Sequence, residues 1–209
     1  MPQPLKLAVL ASHGGSNMQA IVDAAAAGRL RAQVVLVISN NSGSGALERA
    51  RRHGLPWRHM SGKTHPGAGE LDEAMTRAAE TAGAELVLLA GYMKKLGPRM
   101  LDRFRGRILN IHPALLPRHG GPGMYGLRPH QAVLAAGDRE TGPTVHVVDE
   151  EYDRGPILRQ RRVPVLDGDT PETLQQRVLA AEHELYVEVL EDIAAGRINL
   201  PVTAGDQTA

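Results

Sequence analysis

The sequence predicts an α/β protein built on an open, mostly parallel, doubly wound sheet. Three observations carry this expectation. Short, continuous apolar runs such as LKLAVL, VVLVI and LVLL recur through the first half, as strands buried on both faces require. Segments with helical spacing, roughly 10–15 residues long, separate them, and that alternation calls for right-handed crossovers between parallel strands. Glycine or proline marks most of the junctions.

Each element has its own signal. Residues 5–12 form an apolar run closed by a Gly-Gly turn and read as the first strand. The following NMQAIVDAAAAG puts Met18, Ile21, Val22 and Ala25 on one helical face and stops at Gly28. Residues 32–39 (AQVVLVIS) are a second, β-branched strand. GALERARRHG is a helix ending at Gly54, and PWRHM a short strand. Residues 70–82 read as a helix, ELVLLAGYM as a third buried strand and GRILNIH as the next. Beyond a Gly- and Pro-rich loop at 118–129, the grammar changes. A helix is expected over 130–136, and TVHVV and ILRQRRVPV read as two alternating strands, the second near an edge because of Pro164. Thr170 and Pro171 supply an N-cap and a first-turn proline for a long helix reaching about Gly196. The fold expected is therefore a Rossmann-like sheet with an antiparallel C-terminal extension and a long C-terminal helix. A single domain over residues 1–200 follows, in two halves (1–110 and 111–200), with a frayed tail at 201–209.

Composition excludes several function classes. The 209 residues carry 24 Lys and Arg against 23 Asp and Glu, a net charge of +1. No strong basic field is present to hold nucleic acid or an anionic membrane. There is no cysteine, which removes disulfides and thiolate chemistry. No apolar run approaches the ~20 residues that span a bilayer, and the N-terminal run is short for a signal peptide. A soluble, cytoplasmic protein is expected. With aromatics at 3%, the core must be built from Leu, Val, Ile and Ala.

Three stretches could carry chemistry. SHGGSNMQA (Ser12–Ala20) joins a buried strand to a helix through two glycines. Such a turn offers free backbone N–H groups and a positive dipole end, a natural phosphate cradle. It lacks both the P-loop lysine and G-x-G-x-x-G spacing, and an ordinary tight turn with an asparagine cap would use the same residues. RILNIHPALLP (Arg107–Pro117) places Asn110 and His112 at the end of a strand, where ligands of open α/β sheets bind. An imidazole moves protons near neutral pH and an amide can donate to a developing oxyanion; a structural histidine could equally stand there. DEEYDRGPIL (Asp149–Leu158) presents Asp153 on a tight turn. If that loop folds back, its charge would favour a protonated His112, although spacing alone does not join them. The nine histidines show no metal-ligand spacing, and there is no G-x-S-x-G elbow.

Taken together, GGSN, LAGYMKKL, ILNIHPALLP, TVHVVDEEYDRGPIL and AEHELY resemble the folate-dependent formyltransferases from about Leu5 to Gly196. The resemblance implies transfer of the formyl group of 10-formyltetrahydrofolate, a donor cosubstrate, to a primary amine without a metal. GGSN is similar to the loop that holds a substrate monophosphate, which implies glycinamide ribonucleotide as acceptor and a place in purine biosynthesis. Residue by residue, it implies a catalytic trio of Asn110, His112 and Asp153, with Asn110 and a protonated His112 stabilising the oxyanion. It implies phosphate contacts at Gly15, Ser16 and Asn17, and ribose contacts at Glu182. Folate contacts are implied at Met93, Lys94, Lys95, Leu96, Asn110, Val148, Asp149 and Glu150. Partners would be small molecules rather than nucleic acid or membrane, with a homodimer as one candidate assembly.

The chain also departs from the pattern. The family often has an arginine in the segment HPGAGELDEA, and none lies between Arg58 and Arg77; Lys63 is a candidate replacement. Lysines occupy YMKKL, and the 118–129 loop is longer than in the best-known bacterial form. Among alternatives, a tRNA formyltransferase would need a further basic domain, and a formyltetrahydrofolate hydrolase an N-terminal regulatory domain. A sugar-nucleotide formyltransferase and a non-catalytic nucleotide-binding domain remain open.

Overall fold

The computed structural model describes residues 3–200; the expected frayed tail at 201–209 lies outside them. The first half runs β1 (Leu5–Leu10), α1 (Ser16–Ala26), β2 (Ala32–Ser39), α2 (Gly45–Arg52), β3 (Trp57–His59), α3 (Glu70–Thr81), β4 (Leu86–Leu89), α4 (Pro98–Arg103) and β5 (Ile108–His112). The second half adds α5 (Arg128–Ala135), β6 (Glu140–Thr141), β7 (Thr144–Val147), β8 (Ile157–Gln160), β9 (Val163–Pro164) and α6 (Pro171–Ala194). The main sheet has seven strands in the order β3-β2-β1-β4-β5-β7-β8. The five strands from β3 to β5 are parallel, while β7 and β8 are antiparallel.

Alternation along the strands sorts the core into two layers. Leu7 and Val9 face one side with Leu109 and Ile111, packed against α1, α2 and α6. Ala8 and Leu10 face the other with Val87 and Ile108, packed against α3 and α4. The helices on both faces make the sheet doubly wound, as expected. α6 begins where the Thr-Pro signal placed it: Thr170 caps the N–H of Thr173, whose side chain reaches back to the Thr170 N–H.

Two elements differ from the expectation. ILRQRRVPV is not one strand: β8 joins the main sheet, and β9 pairs with β6 in a separate two-stranded ribbon. The break comes where two backbones touch, since a Cβ on Gly142 would lie 1.8 Å from the Arg161 carbonyl oxygen. α4 was not foreseen. Its first turn is capped by Asp72 of α3, which accepts from the N–H groups of Arg99 and Met100 at 2.8 and 3.1 Å, a partner too distant in sequence to signal locally.

Tyr186 of α6 is fully buried beneath the sheet centre. Its hydroxyl donates to the carbonyl of Leu109 at 3.0 Å, with the Leu89 carbonyl at 3.4 Å. Replacing Tyr186 by Phe keeps the ring and removes the donor, so equilibrium urea unfolding should show a loss of about 1 kcal/mol.

Candidate active site

β5 sets the site. Leu109 and Ile111 point into the α1/α6 layer, so Asn110 and His112 face the opposite side of the sheet. The antiparallel register pairs Asn110 with His146 and His112 with Thr144. β7 therefore starts beside His112 and runs away from the carboxyl edge. The loop after it turns back across the sheet face instead of leaving by the edge. Gly155 permits the crossing, because a Cβ there would sit 1.9 Å from the Val147 carbonyl oxygen. Asp153, at φ 56, thereby reaches both imidazoles: Oδ2 lies 3.5 Å from His112 Nδ1 and Oδ1 lies 3.5 Å from His146 Nε2. Asp153 Oδ2 also accepts from the Gly121 N–H at 2.8 Å.

The hydrogen bonds set the protonation pattern. His112 Nε2 donates to the His119 carbonyl at 2.9 Å, which leaves Nδ1 facing Asp153 at a distance longer than an ordinary hydrogen bond. His146 Nδ1 donates to the Val147 carbonyl at 3.0 Å, so its Nε2 accepts from the Asn110 amide at 3.0 Å. His146 was absent from the sequence reading. Its one signal was its place in TVHVV, an imidazole inside an otherwise apolar strand.

The electrostatics correct one expectation. Burial lowers the His112 pKa below the ordinary histidine value, and this outweighs the opposing pull of Asp153, the next largest influence. Asp153 acts in the expected direction, but the free site does not hold a standing imidazolium. Asp153 is held below the ordinary carboxylate value although burial, the largest single influence, would raise it; His146 and His112 oppose burial when they carry a proton toward it, and the Gly121 N–H does so by its hydrogen bond.

A second group of residues comes from β1 and α6. Gly15 occupies a left-handed turn at φ 70, with no side chain capping α1. A Cβ there would meet the Cα of Ala46 at 2.8 Å, so glycine is required twice over. The first-turn N–H groups of α1 lack intrahelical acceptors and line the cavity. The alternative of an ordinary turn with an asparagine cap is not what the structure has: no side chain caps α1, and Asn17 Nδ2 donates to Glu182 Oε2 at 2.7 Å. Both side chains are more than nine-tenths buried, and Asn17 Oδ1 has no partner. Burial pushes the Glu182 carboxyl up to about 7 against the opposing effect of Asn17.

The structure brings every residue of the expected site to one cavity of about 480 Å³. Gly15, Ser16, Asn17 and Glu182 form one end. Asn110, His112 and Asp153 form the centre, and Met93–Leu96 face Val148–Glu150 across the rest. The loop after β4 is positioned by Ser12, whose Oγ accepts from the Met93 N–H at 2.8 Å and donates to Asn40 Oδ1 at 2.6 Å. His130 is another wall residue the sequence reading missed; it is buried and its Nδ1 has no partner. Lys95 stands 5.7 Å from the centre of the Tyr152 ring across the mouth. Lys63 lines an adjoining cleft rather than this cavity. Among the described residues, no helix is long and apolar enough to cross a membrane.

An amide, an imidazole and a carboxylate at the end of a parallel strand, beside an N–H-rich turn, define a group-transfer site. The chain belongs to the formyl transferase family, whose pattern it matches over residues 5–190. It is 45% identical over 198 residues to the chloroplastic phosphoribosylglycinamide formyltransferase of Arabidopsis thaliana, covering 94% of this chain and 68% of that protein. Against phosphoribosylglycinamide formyltransferase of Haemophilus influenzae the identity is 38%, covering 93% of this chain and 90% of the relative. The crystal structure of glycinamide ribonucleotide transformylase 1 from Symbiobacterium toebii matches with a TM-score of 0.89 at 40% identity, covering 96% of this chain and 92% of that one.

The buried carboxyl makes stability depend on pH. Glu182 has a folded pKa of about 7 against an ordinary 4.5, so the folded state holds this proton more tightly than the unfolded state. Stability from this group therefore falls as pH rises from about 4.5 through about 7. Chemical denaturation across that range should show a loss on the order of a few kcal/mol that is missing in Glu182→Gln. Parallel curves for the two proteins would contradict the assignment.

Proposed function

We propose that the protein transfers the formyl group of 10-formyltetrahydrofolate to the primary amine of glycinamide ribonucleotide, giving formylglycinamide ribonucleotide and tetrahydrofolate. The observation that carries this reading is the meeting of Asn110, His112 and Asp153 in one cavity with the Gly15–Asn17 turn. The names of the relatives at 38–45% identity, phosphoribosylglycinamide formyltransferase, support the same acceptor.

The residues suit the two substrates. The first-turn amides of Gly15, Ser16 and Asn17 would hold the phosphate, since an anion meets both free N–H groups and the helix dipole there. Glu182 would take the ribose hydroxyls, with the unpartnered Asn17 Oδ1 available beside it. The cleft between Met93–Leu96 and Val148–Glu150 would hold the folate ring by main-chain polar groups and apolar walls. The phosphate turn then lies in the N-terminal half (1–110) and His112 and Asp153 in the C-terminal half (111–200), within one domain.

In this reading the substrate amine attacks the formyl carbon, and the carbonyl oxygen becomes an oxyanion. The Asn110 amide, held by His146, donates to that oxygen. His112 is neutral before the reaction, because burial lowers its pKa, and its Nε2–H is taken by the His119 carbonyl. Nδ1 is then the nitrogen free to accept the proton that the attacking amine loses. The imidazolium so formed is stabilised by Asp153 and donates toward the oxyanion. The carbon–nitrogen bond to folate breaks as the proton passes to the leaving nitrogen, directly or through water. The expected imidazolium thus becomes a species of the reaction rather than of the resting site.

Folate deformylation followed by absorbance, with glycinamide ribonucleotide as acceptor, tests the reading. Turnover with this amine supports it; turnover only with a sugar-nucleotide amine would overturn it. His112→Ala and Asp153→Asn should each reduce kcat on the order of 10²–10⁴-fold while ribonucleotide binding, measured by calorimetry, stays near that of the unaltered protein.

A further inference from the structure

The β5–α5 loop contains a second outlier that the mechanism uses only through its backbone. His119 lies in the left-handed region at φ 55, a conformation uncommon for any residue with a Cβ, though histidine is among the more tolerant. Its side chain is committed: Nε2 lies 2.7 Å from Asp138 Oδ2. Arg118 binds the other oxygen of the same carboxylate at 2.7 Å. Asp138 stands just past the C-terminal end of α5, fixed to the rigid part of the fold by the backbone bond from its own N–H to the Val133 carbonyl at 3.3 Å. Asp138 is held below the ordinary carboxylate value, first by the hydrogen bond with His119.

The turn so anchored touches both halves of the central pair. The His119 carbonyl accepts from His112 Nε2 at 2.9 Å, and two residues on the Gly121 N–H donates to Asp153 at 2.8 Å. Gly120 fits between them with no space for a side chain, because a Cβ would lie 2.4 Å from Leu116 Cδ2 and 3.2 Å from Asp153 Cβ. One short turn therefore dictates which nitrogen of His112 carries the resting proton and where the Asp153 carboxylate sits. Strained residues persist only where surrounding structure over-determines them, and here Asp138 supplies that determination.

We propose that His119 is a positioning residue for His112: its side chain, locked to Asp138, holds the left-handed turn whose carbonyl fixes the imidazole with its Nε2–H bound and Nδ1 left unprotonated beside Asp153. The role rests on the proposed use of Nδ1, but the clamp can be read without substrate. In His119→Ala the histidine's own hold on Asp138 is lost, and in Asp138→Ala that of Arg118 goes with it. NMR of the ¹⁵N-labelled protein should show His112 as a single Nε2–H tautomer in the unaltered chain and as a mixture in both variants. kcat should fall on the order of 10- to 100-fold, the scale of a misplaced catalytic group, with KM for glycinamide ribonucleotide within about twofold, because the phosphate turn lies elsewhere. His119→Gln, whose amide nitrogen can take the place of Nε2 toward Asp138, should restore most of both signals. An unchanged His112 tautomer in both alanine variants would overturn the clamp. Loss of kcat with that tautomer unchanged would mark His119 as structural only. An Nε2–H signal in the unaltered chain with no turnover of this ribonucleotide would leave the clamp standing and count against the substrate reading instead.

Discussion

The site depends on the antiparallel pairing of β7 with β5. In a wholly parallel sheet every loop at the carboxyl edge would extend outward, and residues from successive crossovers would meet only at their tips. Here β7 enters beside His112 and runs the other way. Its register sets His146 against Asn110, and its outgoing loop must fold back over the sheet face to start β8. That return, made possible by Gly155 against the Val147 carbonyl, carries Asp153 over two imidazoles. A one-residue slip would turn His146 into the α1/α6 layer and leave the Asn110 amide without its acceptor.

Around this pairing the protein keeps several polar groups in expensive surroundings. Glu182 is buried with one side-chain donor, Asn17, while Asn17 Oδ1 and His130 Nδ1 lack partners altogether. Groups left short of hydrogen bonds cost stability and are tolerated where a ligand completes them. The Asn17–Glu182 bond also joins residues 165 apart in sequence, so the phosphate turn on β1 and the long C-terminal helix are set relative to one another. The fully buried Tyr186 ties that same helix to the carbonyl just ahead of Asn110. The same helix is thus tied both to the phosphate-turn end of the cavity and to its centre.

Much of this arrangement was legible in the sequence. The parallel half was written in uninterrupted apolar runs, and α6 in its Thr-Pro start. The site residues were legible mainly as motifs: GGSN, NIHP and YDRGP were conspicuous, yet only tertiary contacts join them. What escaped shares one cause, dependence on partners distant in the chain. The cap of α4 comes from Asp72, the division of β8 from β9 comes from the Gly142–Arg161 contact, and the orientation of Asn110 comes from His146. The protonation state of His112 was misjudged for a related reason. The attraction of Asp153 could be guessed from charge alone, whereas the larger effect of burial required the packed structure.

The pairing of β5 with β7 assembles one cavity, and in the proposed reaction both substrates meet there. A crystal structure of the protein with glycinamide ribonucleotide and an unreactive analogue of the folate donor tests it most directly. The phosphate should lie on the amides of Gly15, Ser16 and Asn17, and the ribose against Glu182. The amine should lie at His112 Nδ1, with the donor's carbonyl oxygen at the Asn110 amide. A phosphate bound elsewhere, or a donor carbonyl beyond hydrogen-bond reach of Asn110 and His112, would contradict it.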